Sequence, residues 1–373
     1  MGGNCVEIQS GETSILIDAG TPVNKESKLS KRTFNKLVKR AEAIFISHPH
    51  PDHYKMLSWL EHDTPIYMSR GCKKILEIAH KFNQTKYNPA PATTFDTETI
   101  EIPESEISVT PIAVDHSGFD SRAFLISDGE ENILYSGDIR DHGRQNYLTK
   151  QFPDKLPSQI DSFILEGTLL TRKYKGVQSE EEVLNKLASY LKNNSELCLI
   201  AFSSQNIDRL VSVFRACLKT NRTLVIDPYT AYILHELRGF SKKLPQHFWN
   251  NMGILFAANS YTQTIKQEQL YRFASAKVTK DMIRDNPEKY VLKSNGYVES
   301  HLVKGKLLDS TTLVYSQWSG YADGIWESNE VHHIHCSGHA QIETLQDLIN
   351  KINPDMLIPI HTEDEEAFAS HMV

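Results

Sequence analysis

Ser47-His48-Pro49-His50-Pro51-Asp52-His53 decides how this chain is read. Three histidines and one aspartate fall within the six positions from His48 to His53. The preceding run, Ala41 to Ile46, is apolar at its end and predicts a buried strand. Pro49 and Pro51 oppose a continuing helix, so the whole cluster is expected on a loop at the strand end. Neutral imidazole and carboxylate are the ligands that a borderline ion such as Zn²⁺ prefers. In this spacing His48 and His50 reach one ion, while Asp52 and His53 point past it toward a second. The bland alternative, a polar turn that happens to hold histidines, rarely packs them so densely.

At 373 residues the chain has room for two domains. Its composition, 40% hydrophobic and 23% charged, is that of a soluble globular protein. No apolar run reaches the length of a membrane span. Met-Gly-Gly-Asn-Cys shows no basic region leading into an apolar core, so no signal peptide is expected. Five scattered cysteines without a CxxC pair fit reduced thiols in the cytoplasm. A net charge of −7 weighs against a nucleic-acid partner, although local charge is what decides. The one basic segment, Lys25, Lys28, Lys31, Arg32, Lys36, Lys39 and Arg40, reads most simply as a solvated helix face.

Taken in order, Val6 to Ile8 and Ser14 to Ile17 read as a hairpin, followed by a helix from Lys31 to Arg40. After the histidine cluster come a short helix from Met56 to Glu61, a strand at Ile66 to Met68 and a helix from Gly71 to Lys81. Further strands are expected at Ile107 to Val114, Ala123 to Ile126, Asn132 to Tyr135 and Ser162 to Leu165. From about residue 177 to 240 helices and strands alternate, the rhythm of a parallel sheet. Positions 241 to 310 give no clear pattern. Thr311 to Tyr315 reads as a strand, Ile342 to Ile352 as a helix and Met356 to Ile360 as a last strand.

Asp18, the cluster at 48 to 53, His116, Asp138 and His361 each follow an apolar strand. Loops at one rim of a layered sheet can bring such distant positions to a single site. Any one of them alone is more often a turn residue. Together and in this order, Asp18, HxHxDH, His116 and Asp138 resemble the four successive motifs of the metallo-β-lactamase superfamily. Leu165-Glu166-Gly167-Thr168, Ser337-Gly338-His339-Ala340 and Pro359-Ile360-His361 resemble the three further motifs of its β-CASP group. That group includes ribonuclease J, the endonuclease of mRNA 3′-end processing and Artemis. Val114-Asp115-His116-Ser117 and Ser136-Gly137-Asp138-Ile139-Arg140 are most similar to ribonuclease J and its shorter relatives.

The resemblance implies an α/β fold, an αββα sandwich built from residues 1–170 and 326–373, with a β-CASP domain inserted at 171–325. It implies two zinc ions per chain, with manganese as a substitute. His48, His50 and His116 would hold one; Asp52, His53 and His361 the other; Asp138 would bridge them. Asp18 would orient the histidine loop. Glu166 and His339 would form an acid/base pair, with Asp52 also counted as catalytic. Ser203, Ser204 and Arg209 match a phosphate-cupping loop before a helix, with an N-cap and a surface arginine as the plainer reading. The implied reaction is two-metal hydrolysis of RNA phosphodiesters, with single-stranded RNA as partner and no membrane. A DNA nuclease of the same group is disfavoured by His361, because the DNA-specific branch tends to be apolar there. A small-molecule metallohydrolase would lack the inserted domain, and a catalytically inactive scaffold would lack ligands. Two departures from the family stand out: relatives carry one more strand before Gly2, and only twelve residues follow His361, where ribonuclease J has a further domain.

Overall fold

A computed structural model describes residues 2–22, 29–170, 176–256, 270–295, 311–321, 331–362, 366, 368 and 369. Lys25 and Lys28 of the basic segment lie outside them. The chain divides into two compact units, one of Met1–His80, Thr85–Lys175 and Gly338–Val373, the other of Lys81–Gln84 and Gly176–Ser337. Among the described residues, no helix is long and apolar enough to cross a membrane.

The first unit holds two sheets. In one, β1 (Val6–Ser10) and β2 (Thr13–Ile17) form the expected hairpin. To it β3 (Ala41–Ile46), β4 (Ile66–Ser69) and β5 (Thr93–Phe95) add in parallel, in the order β1-β2-β3-β4-β5. The other contains β6 (Ile100–Glu101), β7 (Ser108–Ala113), β8 (Arg122–Ser127), β9 (Asn132–Tyr135), β10 (Ser162–Glu166) and β17 (Met356–Ile360), in the order β17-β10-β9-β8-β7-β6. Its β9, β10 and β17 run parallel and the remaining pairs antiparallel.

Alternation along β3 explains the stacking. Ala43 and Phe45 pack with Val109, Phe124, Ile126 and Ile164 between the sheets. Ile44 and Ile46 face the other way, onto Phe34, Val38, Cys72 and Leu76 of the helices Lys31–Val38 and Arg70–Asn83. From Ala43 to Ile46 the strand is buried on both faces, which is why this stretch is apolar without alternation, and Glu42 near its start is exposed. In β10, Ile164 points inward, while Phe163 and Leu165 meet Leu345, Leu348 and Ile352 of the helix Ile342–Ile352. Helix, sheet, sheet and helix thus form the expected αββα sandwich.

One local expectation is corrected. Asp52 and His53 are not on a loop but in a helical turn, Pro51–Tyr54, that runs into a 3₁₀ turn, Lys55–Trp59. Pro51 occupies the first helical position, where no backbone N–H is needed, so it starts the helix instead of blocking it.

The second unit is built on one sheet of β11 (Leu197–Ala201), β12 (Thr223–Ile226), β13 (Met252–Ile254), β14 (Tyr290–Ser294), β15 (Thr311–Tyr315) and β16 (Val331–His333). Their order is β13-β12-β14-β11-β15-β16 and every pair is parallel. Because β16 pairs with β15, this unit extends to Ser337, past the boundary expected at 325. The strand β14 lies near the centre of the sheet yet was not expected. It carries Lys293, whose buried ammonium lies 3.1 Å from Asp227 Oδ2. A charge in a central strand erases the apolar pattern, and only its partner on the neighbouring strand end makes it tolerable. Burial would raise the Asp227 carboxyl, but Lys293 and the Thr230 N–H hold it below the usual range.

Arg209 also departs from expectation. It sits in the helix Ile207–Lys219 but is 0% exposed, so it is neither a surface arginine nor free to meet a phosphate. Its Nε reaches both Glu180 carboxylate oxygens at 3.2 Å, and its Nη1 donates to Ser316 O at 2.5 Å. Ser204 is buried and accepts from Thr230 Oγ1 at 2.9 Å, whereas Ser203 is exposed. The helix cap is Asn206, which accepts from Arg209 N–H, so neither serine caps it. Breaking one side of a buried ion pair strands the other charge. Arg209→Ala should therefore destabilise the protein by about 3–5 kcal/mol, read from the denaturant midpoint of the fluorescence transition.

Candidate metal centre

Six strand ends of the first unit converge. Asp18 follows β2, His48 and His50 follow β3, His116 follows β7, Asp138 follows β9, Glu166 ends β10 and His361 follows β17. At the middle lies the buried Asp138. Its Oδ2 is 3.2 Å from His53 Nε2, 3.6 Å from His48 Nε2, 3.8 Å from His116 Nε2, 3.8 Å from His339 Nδ1 and 4.0 Å from His361 Nε2.

Two donor groups match the sequence expectation. His48, His50, His116 and Asp138 form one; Asp52, His53 and His361 form another. In the first, His50 Nδ1 is 3.1 Å from both His48 Nε2 and His116 Nε2. In the second, His361 Nε2 is 3.1 Å from Asp52 Oδ2. Tetrahedral zinc, with bonds of about 2.0–2.1 Å, sets its ligand atoms about 3.3–3.4 Å apart, so these donors already stand near that spacing. His53 Nε2 and Asp138 Oδ1 are buried and make no acceptable hydrogen bond, although His53 Nε2 is close to Asp138 Oδ2. Such orphaned atoms are rare in folded proteins, and a divalent cation satisfies them. The residues present therefore fit a metal centre. A third group, Asp138, Glu166, His339 and His361, overlaps both, so the acid/base pair expected outside the metals lies within donor range of them.

Behind the donors a layer of hydrogen bonds orients each ring. His116 Nδ1 lies 2.6 Å from Gly338 O, an acceptor only, so Nδ1 carries the proton and Nε2 of the neutral ring is bare. The Asp18 carboxylate accepts from Ser47 N–H, Ser47 Oγ and Tyr135 OH, and lies 2.7 Å from His53 Nδ1. Ser47 Oγ gives its proton to Asp18, and so receives the Nδ1 proton of His48 at 3.0 Å. Asp18 and His361 both have left-handed backbone, with φ of 61° and 53°. That conformation is uncommon for non-glycine residues and collects at functional sites. Gly20 serves differently: a Cβ there would stand 1.5 Å from Asp52 O, so only glycine lets the chain pass under the cluster.

Electrostatics divide the histidines. Burial pushes His48 and His116 well below the ordinary imidazole value, and takes His50 down to about 4. These three are thus neutral, the form that binds metal. For His53 burial also lowers the pKa, but Asp138 and Asp18 outweigh it and raise the ring well above the ordinary value. His339 behaves likewise: Glu166 and Asp138 overcome burial and lift it to about 9. Burial would raise Asp52 and Asp138, yet the adjacent imidazoles hold both carboxyls below the usual range.

Ser203, Ser204 and Arg209 belong to the other unit. Two residues of this site had no expected role. Tyr135 donates to Asp18 Oδ2 at 2.6 Å, but in sequence it is one more aromatic in an apolar strand. Thr168 lies in the quoted Glu166-Gly167-Thr168 stretch, and its hydroxyl touches three site residues.

Asparagine tolerates left-handed backbone, so Asp18→Asn should fold. Its amide cannot accept from every donor that faces it. Affinity for Zn²⁺, measured by competition with a chromophoric chelator, should drop by about 10–100-fold.

Comparison with known proteins agrees with this geometry. A β-lactamase superfamily domain matches residues 13–188, and a Zn-dependent metallo-hydrolase RNA specificity domain matches residues 328–373. A protein of Methanocaldococcus jannaschii described as probable RNase MJ4 is 21% identical, over 98% of this chain and 92% of its own length. Ribonuclease J of Mycoplasma genitalium is 22% identical over 97% of this chain, which spans only 66% of that protein. The crystal structure of a protein of unknown function from Enterococcus faecalis V583 superposes with a TM-score of 0.76, at 20% identity, covering 98% of this chain and 92% of that one. With the αββα sandwich and the converging strand ends, these matches show a metallo-β-lactamase superfamily domain of the metal-dependent hydrolases, in a chain similar along nearly its whole length to ribonuclease J-like proteins of the β-CASP group.

Proposed function

We propose that this chain is a ribonuclease that hydrolyses RNA phosphodiesters with two divalent cations, zinc by preference, and that Gly176–Ser337 forms the inserted β-CASP domain. The observation that carries the reading is the Asp138 carboxylate oxygen lying within 4.0 Å of five imidazole nitrogens. His48, His50 and His116 would hold one cation, Asp52, His53 and His361 the other, with Asp138 between them. When bound, such a pair supplies Lewis acidity and an activated water for attack on phosphorus. RNA as the substrate is supported by the RNA specificity match at 328–373 and by relatives named as ribonucleases along nearly the whole chain. Five free cysteines are consistent with a cytoplasmic setting.

The chain's own groups have distinct tasks in this scheme. Glu166 is fully buried and accepts from Ile139 N–H and Thr168 Oγ1. Its Oε2 also lies 3.0 Å from His339 Nδ1, which fixes that ring and favours its charged form. His339 is partly exposed, so it can meet a substrate and give a proton to the leaving 3′-oxygen. Cations bound nearby would draw its pKa down from about 9 toward the working range.

Protein purified without chelator should contain close to two metal equivalents by elemental analysis; a ratio fixed near one under metal-replete conditions would remove Asp138 as a bridge. End-labelled RNA should be cut and matched DNA largely spared, with cleavage lost to chelator and restored by Zn²⁺ or Mn²⁺. His339→Ala should keep its metal and slow single-turnover cleavage by about 10²–10⁴-fold. If that variant cleaves normally but melts early, His339 is a structural tether instead.

A further inference from the structure

Thr168 is buried, and its hydroxyl lies 2.6 Å from Glu166 Oε2, 2.7 Å from His361 Nδ1 and 3.1 Å from His339 Nδ1. A hydroxyl has one proton to give and lone pairs to accept with. Were that proton given to His361, the hydroxyl and carboxylate oxygens would face each other at 2.6 Å with no hydrogen between them. Glu166 Oε2 also accepts from Thr168 N–H at 3.4 Å, and its Oε1 from Ile139 N–H at 3.0 Å. The proton of Thr168 therefore goes to Glu166, and Thr168 Oγ1 receives the Nδ1 proton of His361. With its proton kept at Nδ1, His361 has Nε2, 3.1 Å from Asp52 Oδ2, as the nitrogen it can turn to a metal ion. The same order of groups occurs once more in the site, where Asp18, Ser47 Oγ and His48 Nδ1 form a relay of 2.8 and 3.0 Å.

We infer that Thr168 is a positioning residue: through a carboxylate–hydroxyl–imidazole relay from Glu166, it holds His361 in the tautomer that presents Nε2 to a metal ion. This rests on reading the site as a metal centre, but not on RNA being the substrate. In the absence of the hydroxyl, Asp52 Oδ2, 3.1 Å from His361 Nε2, is the acceptor that favours the opposite, non-ligating tautomer. One hydroxyl also touches His339, whose ring stacks on that of His361 at 5.2 Å between centroids. Loss of Thr168 thus acts on a metal ligand and on the proposed acid together.

The test compares Thr168→Val, which keeps the shape, with Thr168→Ser, which keeps the hydroxyl. Histidine ¹⁵N spectra of the metal-free full-length chain report the tautomer directly. Zn²⁺ titration against a chromophoric chelator reports affinity. In the parent and Thr168→Ser, His361 should be protonated at Nδ1. In Thr168→Val it should shift toward Nε2, and one of the zinc equivalents should weaken by about 10–100-fold. Thr168→Ala repeats the measurement should the valine variant fail to fold. An unchanged tautomer and affinity in the hydroxyl-free variants would overturn the inference, as would equal losses in Thr168→Ser, which would mark a packing role. Should the parent bind zinc yet leave RNA uncut, the ribonuclease reading fails while these measurements still decide on Thr168.

Discussion

A buried carboxylate at Asp138 is the constraint around which the first unit is arranged. An ionised group away from water is costly unless compensated. Here the compensation comes from imidazoles that reach Asp138 from distant parts of the chain, the farthest being His361. None of those side chains can be placed until the strands that carry them are paired. The two sheets supply that order: parallel β2 and β3 end at the same edge, and β9, β10 and β17 do likewise in the other sheet. Apolar residues on both faces of β3 and β10 lock the sandwich, and the polar cluster sits at its rim.

Rigidity at that rim comes from groups that never need to touch a ligand. Carboxylates at Asp18 and Glu166, hydroxyls at Ser47, Tyr135 and Thr168, and the Gly338 carbonyl each fix one ring or one loop. The left-handed turns at Asp18 and His361 are held by this surrounding structure. Such a shell restrains the rings of His48, His53, His116, His339 and His361 from behind, so that their nitrogens converge on Asp138.

The second unit follows a different plan, a wholly parallel sheet with polar pairs inside it. Arg209 with Glu180 and Lys293 with Asp227 are buried ion pairs, each spanning separate elements. Buried pairs of this kind are weak sources of stability but costly to break. They explain why an arginine near a helix start need not face solvent or a ligand at all.

Much of this was legible in the sequence. The strands at 41–46, 162–166 and 356–360, the alternating helices and strands after residue 177, and every donor at a strand end were expected, because each depends on local pattern. The HxHxDH spacing is equally local. What stayed hidden was either short or compensated from afar. β14 was missed because Lys293 breaks its apolar run and Asp227, which makes that acceptable, lies 66 positions away. The helical turn at Pro51 was missed because a proline that ends one helix can begin another. Arg209 looked exposed because its partner, Glu180, is on another helix. Thr168 showed no role, because a hydroxyl acquires one only when register and rotamer bring it to His361. The sequence by itself marked the histidine cluster and the strands that carry the site, through spacing and apolarity within a few positions. Only the tertiary structure decided which of these side chains meet, which hydroxyl lies against which ring and which charges are spent in the core, because those depend on distances between residues far apart in the chain.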